Sequence, residues 1–377
     1  MRKASLLASL ALGLAASLAD AQTAPQLWPD PEWTARAPSP AVDRAKLEAA
    51  LDAAMADPKA TRALLVVEDG AIIGERYAPG YDAGTRFLSY SMAKSFTATL
   101  VGILVGQGRL DVDAPAPVPE WSEPGDPRRA IRLADLLHMS SGIGSNELQD
   151  QPDSDVMAML FGAGRHDVAH HAADHALKYT PGTYFIYSNS TTNVISGIVR
   201  RTVGDHEAGY RRFMNEALFE PLGMRSVVPR FDDRGTFIGS SFISASARDY
   251  ARLGLLYLRN GEWNGRRILP ESWVKFVRTP APASNGRYGA HFRLGPVYSS
   301  APVAAQGPPV RWPDDVYSAS GLYGQLISIS PSRRLVVVVL GHTQFVPEQE
   351  RAAYRGHQLE NIFDAVAAAS PQTSARN

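Results

Sequence analysis

From Met92 to Val105 the chain is apolar on nearly every side of a helix: Met92, Phe96, Leu100, Ile103 and Leu104 mark one face, and Val101 and Val105 widen it. Such a helix belongs at the centre of a domain, wrapped by other elements. The same segment carries Lys94 near its start, three residues after Ser91. Side chains three apart in a helix are neighbours, so the Ser91 hydroxyl and the Lys94 amine share one face. A lysine at the start of a buried helix is costly unless it has partners, which points to a chemical use. The N–H groups of the first turn favour negative charge developing on Ser91. This is the pattern of a serine nucleophile activated without histidine. Gly106 and Gly108 are placed to end the helix.

The Ser-x-x-Lys spacing recurs at Ser272-Trp273-Val274-Lys275. There the serine follows Pro270-Glu271 at the start of a short amphipathic segment with Trp273, Phe276 and Val277, which reads as ordinary surface-helix packing.

Residues 1–21 read as a secretory signal peptide. Arg2-Lys3, an apolar run from Ala4 to Leu18 and Ala19-Asp20-Ala21 supply its charged, apolar and small-residue regions, with cleavage expected after Ala21. The run is short for a transmembrane span, so no membrane span is expected after signal removal and the chain is expected to be periplasmic or secreted. The chain has no cysteine, which excludes disulfides, thiol catalysis and cysteine metal sites. Lys+Arg and Asp+Glu are both 38, so no basic excess argues for nucleic acid, and a small-molecule partner is expected. The sequence leaves the oligomeric state open.

The chain is longer than one core normally organises, so two domains are expected. Residues from Ala41 to Met55 carry helical spacing in Leu47, Leu51 and Met55. Ala63 to Val67 and Ala71 to Tyr77 read as a strand pair joined through Asp69-Gly70. Late strands are expected over Leu322 to Ser330 and Leu335 to Leu340; the unbroken Val336-Val337-Val338-Val339 is the pattern of a strand buried on both faces. A final helix is expected from about Glu348 to Ala369, with the last eight residues disordered. Between Asp111 and Arg230 helical segments alternate with Pro- and Gly-rich loops. The expectation is therefore an α+β fold. A discontinuous sheet domain (22–110 and 231–377) is built from both chain ends with flanking helices, and 111–230 form a mostly helical insertion.

The serine–lysine pair needs a third group that takes and returns a proton. Tyr187-Ser188-Asn189 follows the turn Tyr179-Thr180-Pro181-Gly182-Thr183. A tyrosine titrates near ~10 in isolation and serves as a base at neutral pH only where an ammonium such as Lys94 stabilises its phenolate form. A core tyrosine with a satisfied hydroxyl is the competing reading. Further on, Ala319-Ser320-Gly321-Leu322-Tyr323-Gly324-Gln325 opens the late strand run, where glycines allow a ligand close to the backbone.

Ser91-x-x-Lys94, Tyr187-x-Asn189 and a small-residue strand box, in that order, resemble the serine β-lactamase and penicillin-binding-protein superfamily, on its class C branch. The wording Ser-Met-Ala-Lys-Ser-Phe-Thr, with Asp135-Leu136-Leu137-His138-Met139-Ser140-Ser141-Gly142, resembles the esterase and amidase members, including 6-aminohexanoate-dimer hydrolases. The resemblance runs from about Trp33 to Phe363 and implies a β-lactamase/transpeptidase-like fold. It makes Ser91 the acylated nucleophile, Lys94 and Tyr187 the proton-transfer pair, and Asn189 a polar group beside the substrate. It also assigns the N–H groups of Ser91 and Leu322 to an oxyanion hole. The third box departs from the family's Lys-Thr-Gly, since Ala319 occupies its first position, followed by Ser320 and Gly321. That change weakens the case for β-lactam hydrolysis, unless Arg287 or Arg293 reaches the carboxylate site, and leaves acyl transfer intact.

Other signals carry less. His166, His170, His171 and His175 crowd one segment, but without a His-Glu-x-x-His pattern they read as a surface cluster, and no metal or cofactor is called for. Ser140-Ser141-Gly142 reads as a loop turn, and the six tryptophans as packing or cleft-lining residues. The reading is an exported serine hydrolase that cleaves an ester, amide or short peptide through an acyl-enzyme. The alternatives are a β-lactamase or D-alanyl-D-alanine peptidase and, from another class, a non-catalytic module that holds cell-wall peptide.

Overall fold

The computed structural model describes residues 26–29, 31–296, 310–347 and 350–367. The proposed signal segment and the last eight residues lie outside them. A six-stranded antiparallel sheet runs in the order Ala71–Tyr77, Thr61–Glu68, Leu335–Gly341, Gln325–Ser330, Tyr317–Gly321, Arg293–Leu294. Its central pairing joins the two ends of the chain, with Leu65 opposite Val338 and Val67 opposite Val336. The sheet expected from both termini is thus present.

Strand alternation explains why the central strands are apolar throughout. Side chains along a strand point to opposite faces, and here both faces are covered. Val337 and Val339 join Leu64, Val66 and Leu326 under Leu47 and Leu51 of the Arg44–Ala54 helix and Leu359, Ile362 and Phe363 of the Arg351–Asp364 helix. Val336 and Val338 join Leu65, Val67 and Ile327 on the other face, under the Ala247–Leu258 helix. Gly254 of that helix lets the two layers meet, since a Cβ there would stand 2.5 Å from a Val336 methyl.

Two boundaries differ from expectation. The segment expected as one strand from Leu322 is broken: Tyr317–Gly321 is a strand of its own, Leu322–Gly324 turn tightly, and the next strand begins at Gln325. The cause is Tyr323, held at φ 61°, with Gly324 at φ 80° beside it, a reversal incompatible with extended backbone. The last helix spans Arg351–Asp364, shorter than expected.

The apolar segment near Ser91 is the Ala93–Gly106 helix, buried from Ala93 to Leu104. Between 111 and 230 the described elements are helical apart from Val228–Pro229, a short strand that pairs with Ile243–Ala245. The longest is the Asn189–Val203 helix, which packs against the Ala93–Gly106 helix. No helix among the described residues is long and apolar enough to cross a membrane.

Candidate active site

Ser91 stands in a single 3-10 turn, Tyr90–Met92, that leads directly into the Ala93–Gly106 helix. Tyr90 is held at φ 45°, a conformation unusual for a bulky side chain. Its ring meets the Tyr323 ring edge-on at 5.3 Å, and Tyr323 stacks on His342 at 4.0 Å. Two tyrosines with left-handed backbone therefore bracket the site, one before Ser91 and one after Leu322. Such conformations persist only where the surroundings hold them, and they concentrate at functional sites.

Lys94 is 1 % exposed. Its Nζ donates to Asn189 Oδ1 at 2.7 Å and to the Ser240 carbonyl at 2.8 Å, and lies 3.2 Å from Ser91 Oγ. The partners are themselves fixed. Asn193, one turn beyond Asn189, accepts from Ser240 N at 3.2 Å through Oδ1 and donates to Ser240 Oγ at 3.2 Å through Nδ2. Burial lowers the Lys94 pKa from the ordinary lysine value; Tyr187 and Glu147 oppose that shift and Arg293 adds to it.

The Tyr187 ring lies 4.9 Å from Lys94 Nζ and 5.2 Å from the Arg293 guanidinium, with Tyr288 edge-on at 6.0 Å. Its segment is tied down by the Ile186 N–H donating to the Met139 carbonyl at 2.8 Å.

The small-residue box reaches the Ser91 turn through Gly321. A Cβ there would lie 2.2 Å from the Ser89 carbonyl and 3.3 Å from Met92 N, so the strand end abuts the Ser91 turn as only glycine allows. Leu322 follows at once and is 43 % exposed. Ala319 is buried in the core, whereas Ser320 Oγ accepts a 2.7 Å hydrogen bond from Arg293 Nε. Arg293, on the neighbouring strand, thus brings a guanidinium to the box that lacks a lysine.

Three residues at the site carried no sequence signal. Glu147 sits in a polar loop and accepts hydrogen bonds from Ser188, Asn189 and Ser190. Burial raises its carboxyl, but those donors outweigh burial and hold it below the usual range. Ser240 meets Lys94 through its carbonyl alone. His291 is buried, with Nδ1 toward the Leu137 carbonyl at 2.9 Å and Nε2 toward Thr192 Oγ1 at 3.1 Å; burial pushes its pKa down to about 3, against the pull of the Leu137 bond.

The remaining candidates fall elsewhere. Ser272 and Lys275 are exposed on the Glu271–Arg278 helix. Of the histidine cluster, His166 pairs with Asp233 and His170 with Glu120, while the His171 and His175 rings meet at 5.5 Å. Trp33, Trp121, Trp263, Trp273 and Trp312 are buried in the cores.

Residues 47–360 match the Beta-lactamase family, and the chain belongs to it. It is 30 % identical over 232 residues to a 6-aminohexanoate-dimer hydrolase of Paenarthrobacter ureafaciens, covering 58 % of this chain and 57 % of that protein. To a D-aminopeptidase of Gluconobacter oxydans it is 26 % identical over 269 residues, 65 % of this chain and 47 % of that protein. These matches span about half the length of each relative. The structure of a family VIII carboxylesterase superposes with a TM-score of 0.64 at 16 % identity, over 88 % of this chain and 98 % of that one, a likeness of fold.

Proposed function

We propose that the chain is an exported serine hydrolase that cleaves an ester or amide through an acyl-enzyme on Ser91. The observation that carries this reading is the partner set of Lys94. A neutral amine has two N–H donors and one lone pair. Asn189 Oδ1 and the Ser240 carbonyl can only accept, so they take both donors, and the lone pair is left for Ser91, the one partner with a proton to give. Lys94 then removes the Ser91 proton as Oγ bonds to the substrate carbonyl carbon. The resulting oxyanion is stabilised by the N–H groups of Ser91 and Leu322, fixed donors that meet charge present only in the transition state. As the carbon–heteroatom bond breaks, the proton passes from Lys94 through Tyr187 to the leaving group. Water reverses the sequence and frees Ser91.

A second reading is favoured by Arg293. A guanidinium beside Ser320 and over the Tyr187 ring suits a substrate with a carboxylate near the scissile bond, as a short peptide has. The experiment that separates an enzyme from a binding module is labelling with a fluorophosphonate probe followed by peptide mass spectrometry. Modification at Ser91, absent in Ser91→Ala at unchanged Tm, is expected. Labelling of another serine, or full turnover by Ser91→Ala, contradicts the proposal. Export is part of it and is checked by the N-terminus of the mature protein, expected at Gln22.

A further inference from the structure

We propose that Glu147 is a positioning residue for Lys94 and acts through Asn189, holding that amide so that its oxygen faces the amine. The inference rests on the reading of Ser91 as nucleophile and Lys94 as its base. Glu147 lies in the loop between the Leu133–Leu137 and Asp155–Leu160 helices. Its Oε1 accepts from Ser145 Oγ at 2.9 Å, Ser188 Oγ at 2.6 Å and Ser190 N at 3.0 Å. Its Oε2 accepts from Asn189 N at 2.9 Å and from Asn189 Nδ2 at 3.0 Å.

A carboxylate accepts and does not donate. The NH2 group of Asn189 must therefore face Glu147, and the amide oxygen is left pointing at Lys94 Nζ, 2.7 Å away. Turned by half a revolution, the same amide would present N–H donors to a donor. One of the two acceptors that fix the lysine would be gone, and its lone pair would no longer be confined to Ser91.

Capping of the Asn189–Val203 helix accounts for the bonds from Asn189 N and Ser190 N but not for the whole arrangement. Ser188 Oγ already accepts from Thr191 N as the helix cap, and the bond from Glu147 to Asn189 Nδ2 satisfies no backbone group. That bond satisfies the buried NH2 group of Asn189 and at the same time fixes which way its amide is turned. The charge of Glu147 acts on the same lysine. The titratable and charged groups around Lys94 are Tyr187, Glu147 and Arg293, with His291 behind it and Tyr288 against Tyr187. Among the carboxylates, Glu147 is the one whose charge favours the ammonium form. Neutralising it lets Lys94 lose its proton at lower pH.

The test is the pH dependence of Ser91 acylation by a fluorophosphonate probe in the full chain, which needs no knowledge of the natural substrate. Wild type, Glu147→Gln and Glu147→Asp are compared, with Tm as the control for folding. Glu147→Gln is expected to label at least about tenfold more slowly on the plateau and to shift the acidic limb down by about half a pH unit or more. Glu147→Asp keeps the charge and shortens the reach, so its limb is expected at the wild-type position with a plateau between the other two. A slower plateau with an unmoved limb in Glu147→Gln, or wild-type labelling in that variant, overturns the proposal. Should the Gln variant not fold, the Asp variant decides: a displaced limb or an undiminished plateau overturns the inference. Failure of the wild type to label at Ser91 is a different result, which removes the hydrolase reading and this inference with it.

Discussion

Asn193 stands one helical turn beyond Asn189, and the two amides serve the same lysine: Asn189 accepts from Lys94 directly, while Asn193 holds the N–H and hydroxyl of Ser240, the residue whose carbonyl accepts from it. One helix face thus supplies both restraints on the Lys94 amine. The geometry of the Lys94 amine depends on the pitch of the Asn189–Val203 helix as much as on the helix that carries Lys94 itself.

Lys94 and Tyr187 are expected to act as one unit. Lys94→Ala and Tyr187→Phe should each lower kcat/KM by about 100-fold or more, and the double variant should be little worse than either. Because burial favours neutral Lys94, the rate should climb with pH and level off below 10.5, the ordinary lysine value. Multiplicative losses, or a rate still rising near that value, would show that another base is at work.

Gly321→Ala is expected to damage catalysis more than stability. The added methyl meets the Ser89 carbonyl at 2.2 Å, so either the strand end or the Ser91 turn must move. A displacement of about 1 Å at reacting groups costs on the order of 100-fold in kcat. Wild-type kcat in this variant would show that the two segments are free to separate.

His291 should make the protein sensitive to acid. Its pKa is about 3 in the fold against 6.5 ordinarily, so between those values the unfolded chain binds the extra proton and stability falls as pH falls. The contribution is complete above 6.5 and is lost progressively down to about 3. His291→Gln should therefore show a shallower decline of Tm on acidification than the wild type. An identical slope would assign the acid lability to other groups.

Substrate preference follows from Ala319 and Arg293 together. A lysine at position 319 would add a charge-assisted contact of roughly 1.5–3 kcal/mol to a β-lactam carboxylate. Arg293 brings a guanidinium to the same box, so it is in Arg293→Ala, which has neither cation, that kcat/KM for a short-chain p-nitrophenyl ester should exceed that for a chromogenic cephalosporin by at least about tenfold. Arg293→Ala should lower turnover of carboxylate-bearing amides about tenfold more than turnover of neutral esters. Equal losses on both substrates would mean that the guanidinium supports the Tyr187 ring rather than the ligand.

What the sequence disclosed, and what it concealed, divides along physical lines. Ser91 and Lys94 were legible because helical spacing forces them together, and the valine run because burial on both faces leaves no other composition. The break at Tyr323 was hidden, since nothing in its neighbours announces a left-handed tyrosine; it is held there by ring packing against Tyr90 and His342. Glu147 and Ser240 were hidden for another reason, whereas Arg293 was in view as a cation that could reach the carboxylate site. Glu147 meets Asn189 and Ser240 meets Lys94 from distant parts of the chain, and a backbone carbonyl such as that of Ser240 leaves no trace in residue identity.

The pairing of Thr61–Glu68 with Leu335–Gly341 also sets the order in which the protein can be made. On a ribosome the first strand emerges long before its partner exists, and the intervening chain must wait with its apolar faces unpaired. Such long-range antiparallel closure is slow and exposes the chain to aggregation. Ser91 lies in the early part, while Arg293, Gly321 and Leu322 arrive late, so the proposed site is complete only when synthesis is nearly finished.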